Sequence, residues 1–260
     1  MRKGVLSTLR FVGISLVLVL GLAAIIGTGD SSSSSGLHRT TEFGSVEGYI
    51  DDSAGVRAWR GIPFAKPPVG DLRWQPPQDP QPWSETLEAD QSGSPCVQFE
   101  MDRTWHPTGE IIGSEDCLYL DIYRPDSNDA DLPVYFWIHG GSNRFGGAAT
   151  YETNAKAMAR ELNIVVVVTQ YRLGPFGWFR HADLRSQDLQ NSGNSGNFGT
   201  LDQIQALKWV QQNIAEFGGD PANVTIAGQS AGGHNVMNLV ISPHAKGLFH
   251  RAVSESGIRS

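Results

Sequence analysis

Apolar and polar positions along this chain change period several times, and each change marks an element. Residues 41–50 and 56–60 alternate in the manner of short half-buried strands and predict a hairpin. Residues 61–83 carry many prolines and predict an extended loop. Residues 118–123 read as a strand stopped by Pro125, and residues 133–138 as a strand apolar on both faces. Residues 151–162 have helical spacing, and the valine-rich run 164–169 predicts another buried strand. Residues 193–199 read as a loop. The clearest helix is 201–217, with Leu201, Ile204, Leu207, Val210 and Ile214 on one face. A strand at 224–227, a helix at 232–241 and a strand at 251–254 complete the pattern. Strands alternating with helices predict an α/β fold: a mostly parallel central sheet with helices on both faces, preceded by a small antiparallel part.

The N-terminal segment has a different character. Arg2, Lys3 and Arg10 precede an almost unbroken apolar run at 11–26, followed by Gly27, Thr28 and Gly29. Residues 1–29 therefore read as a secretory signal peptide, the run being short for a membrane span; an uncleaved anchor is the alternative. Residues 30–40 begin DSSSSSG and read as a serine-rich linker, so the globular domain is expected over 41–260. A secreted or periplasmic location follows from the leader. In an oxidising compartment Cys96 and Cys117, the only two cysteines, form either a disulfide or two buried free thiols, and export favours the bond.

Composition narrows the function classes. The chain has 260 residues, 40% of them hydrophobic, and a formal net charge of −7 with no basic stripe, so no nucleic-acid partner is expected. Metal-ligand spacing and a phosphate-binding loop are both missing from the sequence, so neither a metal nor a cofactor is expected.

The candidate chemistry lies at two turns. Gly228-Gln229-Ser230-Ala231-Gly232 is a G-x-S-x-G pattern with a strand before it and a helix after it, the context in which a serine is raised on a tight bend. His139-Gly140-Gly141-Ser142 follows the buried strand 133–138, and small residues there bring backbone N–H groups close to a substrate oxygen. Either pattern alone is also an ordinary glycine turn; both after buried strands, in this order, point to acyl transfer.

Longer stretches carry a resemblance. FGGDPANVTIAGQSAG at 217–232, EDCLYLDIYRP at 115–125, GIPFAKPPVG at 61–70, YRLGPFGW at 171–178 and GNFGTLDQ at 196–203 resemble the blocks of the type-B carboxylesterases, in the same order. The resemblance runs from about residue 43 to 257. It implies an α/β-hydrolase fold and a serine esterase acting on small-molecule esters through an acyl-enzyme on Ser230. It implies an oxyanion hole from the N–H groups of Gly141, Ser142 and Ala231, with Gly140 shaping the turn. It further implies a Cys96–Cys117 disulfide loop, ion pairs Arg73–Glu115 and Arg172–Asp202, and Trp105 as a candidate for the pocket, a simple rim position being the alternative. Two positions depart from the family pattern. Ser142 replaces the third glycine of the usual triple, and Gln229 replaces a glutamate before the nucleophile.

The triad acid and histidine are not evident. In this fold class they follow the serine, and after Ser230 the chain offers His234, His244, His250 and Glu255. His234 falls in the helix behind the nucleophile, and the other histidines suit surface or capping positions. The expectation is a partial chain, the acid and base lying outside it, with little activity alone. An inactive fragment or a non-catalytic binding module of the same fold is the alternative reading.

Overall fold

The computed structural model describes residues 36–186 and 196–257. The leader, most of the serine tract and residues 193–195 of the expected loop lie outside these residues. The first strands are β1 (His38–Thr40), β2 (Ser45–Glu47), β3 (Tyr49–Asp51), β4 (Val56–Pro63), β5 (Leu87–Glu88), β6 (Gln98–Met101), β7 (Pro107–Ile112), β8 (Tyr119–Pro125) and β9 (Leu132–Ile138). There follow α1 (Glu152–Leu162), β10 (Val165–Thr169), the short helices α2 (Gly174–Trp178) and α3 (Ala182–Ser186), and α4 (Phe198–Asn213). The last elements are β11 (Gly219–Gln229), α5 (Ala231–Ile241) and β12 (Arg251–Glu255). The first described strand lies inside the stretch read as linker: β1 begins at His38, and Leu37 packs on the core while its carbonyl accepts the Trp59 indole N–H at 2.6 Å.

Seven strands form the main sheet in the order β12-β11-β9-β10-β8-β4-β3. The run β12-β11-β9-β10 is parallel throughout, and the run β10-β8-β4-β3 is antiparallel throughout. The sheet is therefore mixed, with an antiparallel half as large as the parallel one. The cause is a non-local insertion: β8 and β9 are consecutive in sequence, yet β10 returns through α1 and takes the place between them. Expected strand 41–50 is broken in two. β2 joins β1 and β5 in a small separate sheet, while β3 pairs with β4 as the expected hairpin, Tyr49 opposite Ala58. The break falls at Gly48, where a Cβ would stand 2.4 Å from the Ala58 carbonyl oxygen.

Successive valines of β10 serve opposite faces. Val165 and Val167 join the core beneath α4 and α5, with Ile204, Leu207, Val210, Val236 and Leu239. Val166 and Val168 join the opposite cluster with Ala155 and Ala159 of α1. A central strand covered by helices on both sides must be apolar at every position, which is why its sequence shows no alternation.

Cys96 and Cys117 are disulfide-bonded, with a sequence separation of 21. Closing a loop of that length stabilises the fold by about 3 kcal/mol in the chain-entropy description. Inside the loop β6 and β7 form a two-stranded hairpin whose β7 residues are all exposed. No core face imposes a period on it, so its residues carry no alternating strand signal. No helix among the described residues is long and apolar enough to cross a membrane.

Candidate active site

Strand β11 ends at Gln229 and α5 begins at Ala231, so Ser230 alone makes the bend. Its backbone is held at φ 56°, ψ −120°, a region L-residues rarely occupy. Strain of this kind costs on the order of 1–3 kcal/mol and persists only where the surroundings fix it. Here the Ser230 N–H donates to the Glu255 carbonyl of β12 at 2.8 Å, and its carbonyl accepts the N–H of His234 at 3.0 Å. The bend also needs glycine on both sides. A Cβ at Gly228 would lie 2.5 Å from the Gly232 carbonyl carbon, and one at Gly232 would lie 2.1 Å from the Ile138 carbonyl oxygen.

The second corner sits against the first. A Cβ at Gly140 would stand 2.7 Å from the Gln229 carbonyl oxygen and 3.3 Å from Ser230 Cβ. Gly141, Ser142 and Asn143 all have positive φ, at 102°, 56° and 56°. Ser142 thus adopts the conformation that a third glycine would adopt freely, at a cost of about 1–2 kcal/mol. Among the described residues the N–H groups of Gly141, Ser142 and Ala231 donate to no protein acceptor. Three unclaimed donors therefore sit at the two corners, one of them at a helix N-terminus, where backbone N–H groups favour negative charge.

Side chains that the sequence reading did not single out hold this corner. His139 is buried, stacks on Tyr171 with ring centroids 4.4 Å apart, and donates from Nδ1 to the Gly140 carbonyl at 2.8 Å. The Tyr171 hydroxyl donates to the His139 carbonyl at 2.6 Å. Asn235 of α5 donates to Asn143 Oδ1 at 2.9 Å, tying the corner to the helix behind the serine. Gln98 of β6 clasps Gly146: its Nε2 donates to the Gly146 carbonyl and its Oε1 accepts the Gly146 N–H, both at 2.8 Å. His139 and Tyr171 stood inside recognised blocks, but nothing local to Gln98 marked it, since its partner is 48 residues away.

Burial pushes the His139 pKa down to about 4, partly opposed by its bond to Gly140. Below the usual histidine value of about 6.5 the unfolded chain therefore binds a proton that the folded chain refuses. Stability is full above that value and falls as the pH drops from ~6.5 to ~4, by about 3 kcal/mol from this residue. Urea midpoints measured at both ends of that window should differ less in His139→Phe, which keeps the ring stack and removes the titration.

The implied ion pairs both form, in different surroundings. Arg172 and Asp202 are 3% and 0% exposed and bonded twice, Nε to Oδ2 at 2.8 Å and Nη2 to Oδ1 at 2.7 Å. Asp202 Oδ2 also accepts the Arg172 backbone N–H at 3.0 Å, and Arg172 Nη1 donates to the Gln75 carbonyl at 2.9 Å. Arg73 pairs bidentately with Glu115, but its side chain is 42% exposed. The proximity of Glu115 raises the Arg73 pKa. Both arginines and Glu115 line one small cavity against the disulfide.

A larger cavity of about 440 Å³ opens on the glycine corner, lined among others by Gly140, Gly141, Gln98, Gln229 and Trp105. Trp105 is 71% exposed and stacks on Phe145 at 5.7 Å, so it is a rim aromatic that also lines the opening. His234, His244 and His250 are exposed, and His250 Nδ1 accepts the Val224 N–H at 3.2 Å. Among the described residues the Ser230 hydroxyl forms no hydrogen bond.

A serine bend between a parallel strand and a helix, facing a glycine corner at the next strand end, defines the α/β-hydrolase class. Comparison with known proteins resolves the class further. The model of the Carboxylesterase family matches residues 35–259. Para-nitrobenzyl esterase of Bacillus subtilis is 43% identical over 84% of this chain and 43% of its own length. Cocaine esterase of Homo sapiens is 42% identical over 92% of this chain and 43% of its own length. A PNB esterase structure superposes with a TM-score of 0.76 at 41% identity, covering 85% of this chain and 44% of that one. The chain belongs to the carboxylesterase family, and it spans less than half the length of these relatives.

Proposed function

We propose that this chain carries the nucleophile and oxyanion-hole portion of a serine carboxylic-ester hydrolase, and that the triad acid and histidine come from polypeptide beyond its 260 residues. The observation that carries the reading is the contact of the two corners, Gly140 against Ser230, with three free N–H donors on the residues of those corners. Ser230 Oγ attacks the ester carbonyl carbon while its proton passes to a base. The carbonyl oxygen gains the negative charge and settles against the N–H groups of Gly141, Ser142 and Ala231. The tetrahedral centre then expels the alcohol, leaving an acyl group on Ser230, and water repeats the sequence to release the acid. Gln229 adds no charge at the serine, and His139 stays neutral at physiological pH, so the positive field comes from backbone dipoles.

A serine hydroxyl without a base is a poor nucleophile. The hole alone retains catalysis of about 10³–10⁴-fold over water in enzymes stripped of a triad member. The 260-residue chain is accordingly expected to hydrolyse a neutral para-nitrophenyl ester only slowly. An extended chain of the relatives' length should gain several orders of magnitude, all of it lost in Ser230→Ala. Turnover by the short chain equal to that of its full-length relatives would refute the division of parts; an active Ser230→Ala would refute the nucleophile.

We also propose export to an oxidising compartment. The disulfide supports this, because such bonds persist outside the reducing cytosol, and the apolar leader at 11–26 is the signal that accounts for it.

A further inference from the structure

The hairpin that walls the site cavity has a second apolar side. Phe99 and Ile111 of the hairpin face Pro175 and Phe176 of α2 across a separate groove of about 290 Å³. Phe99 and Ile111 are 51% and 69% exposed, unusual for large side chains placed together. Arg144 is the only charged residue lining the groove, and among the described residues it forms no ion pair. Gln98 belongs to the walls of both the groove and the site cavity.

We infer that this groove binds an aliphatic monocarboxylate. The apolar walls offer surface that gains by leaving water, so they select an alkyl chain. The guanidinium is a planar fork of donors that fits a carboxylate with two parallel bonds, so it selects the head group and disfavours a cation. The volume is near the lower end of the ~300–1,000 Å³ range for small-molecule sites, which favours a chain of medium length. Such acids are the chemical class that ester hydrolysis releases, but the binding proposal does not depend on catalysis. An occupant of the groove touches Gln98, whose amide holds Gly146, and so bears on the loop that carries the oxyanion donors.

Calorimetric titration of the intact chain with octanoate, octanol and octylammonium tests this. Octanoate should bind, octanol more weakly, and octylammonium least. Arg144 and Ile111 line the groove and not the site cavity, which separates the two locations. Arg144→Glu should weaken octanoate by about tenfold and reverse the preference toward octylammonium, combining a lost exposed pair with a new repulsion. Ile111→Ser should weaken all three ligands. Both side chains are exposed, so the variants should keep the urea midpoint of the parent. A folded chain that ignores octanoate, or octanoate binding indifferent to both substitutions, overturns the proposal and leaves the esterase reading untouched.

Discussion

Asp202→Ala should lower the folding stability by about 3–5 kcal/mol, the effect of stranding one partner of a buried ion pair. Whole domains are stable by only about 5–15 kcal/mol, so the urea midpoint should fall by a large fraction. The reason lies in what the carboxylate holds. It accepts the Nε and Nη2 donors of Arg172 and the Arg172 backbone N–H, and Nη1 of the same guanidinium donates to the Gln75 carbonyl. Removal leaves a buried cation unpaired on the segment that follows β10. Tyr171 is the adjacent residue, and it supports His139 and through it the glycine corner. Loss of the pair should therefore reach the site as well as the fold. Glu115→Ala breaks the same kind of pair at a half-exposed arginine, and water replaces the partner there. Little change in midpoint is expected, and equal effects of the two substitutions would contradict the weight given to burial.

Gly232→Ala is expected to be the most damaging change at the serine bend. Its methyl would meet the Ile138 carbonyl oxygen at 2.1 Å and the His139 carbonyl oxygen at 2.8 Å. Both are backbone atoms at the end of a central strand, so neither can turn aside as a side chain would. Relief requires α5 to move away from β9, which separates Ser230 from the N–H groups opposite. Overpacking of a core costs about 1–3 kcal/mol, and the upper end is expected because only backbone can yield. Denaturant titration checks the stability. In an extended, active chain the ester turnover should fall far more than the midpoint does. A Gly232→Ala protein with normal turnover would mean that the bend tolerates a wider spacing than the geometry allows.

The site was more legible in the sequence than the sheet around it. Glycines at 228, 232, 140 and 141 stand where a Cβ would strike a carbonyl or another backbone atom, and such close approaches leave a fixed mark on the chain. The long helix over α4 and the buried strand β10 were also plain, because one stripe of apolar residues and one unbroken valine run each have a single packing solution. Strand order was not legible. The place of β10 between β8 and β9 is set by the crossover through α1, which no local pattern encodes. The hairpin β6–β7 escaped because exposed strands feel no pressure to alternate. Gln98 escaped because its role depends on a partner distant in sequence. The positive φ of Ser142 illustrates a middle case: the turn was foreseen, but only the structure shows that a serine pays the conformational cost there.

The relation between the raised serine and the opposite N–H groups is the point on which the functional account stands. A crystal structure of the chain after prolonged reaction with a fluorophosphonate tests it most directly. Phosphorus should be bonded to Ser230 Oγ, with the phosphoryl oxygen about 2.7–3.1 Å from the nitrogens of Gly141, Ser142 and Ala231. An adduct on another residue, or a phosphoryl oxygen turned to solvent, would contradict it.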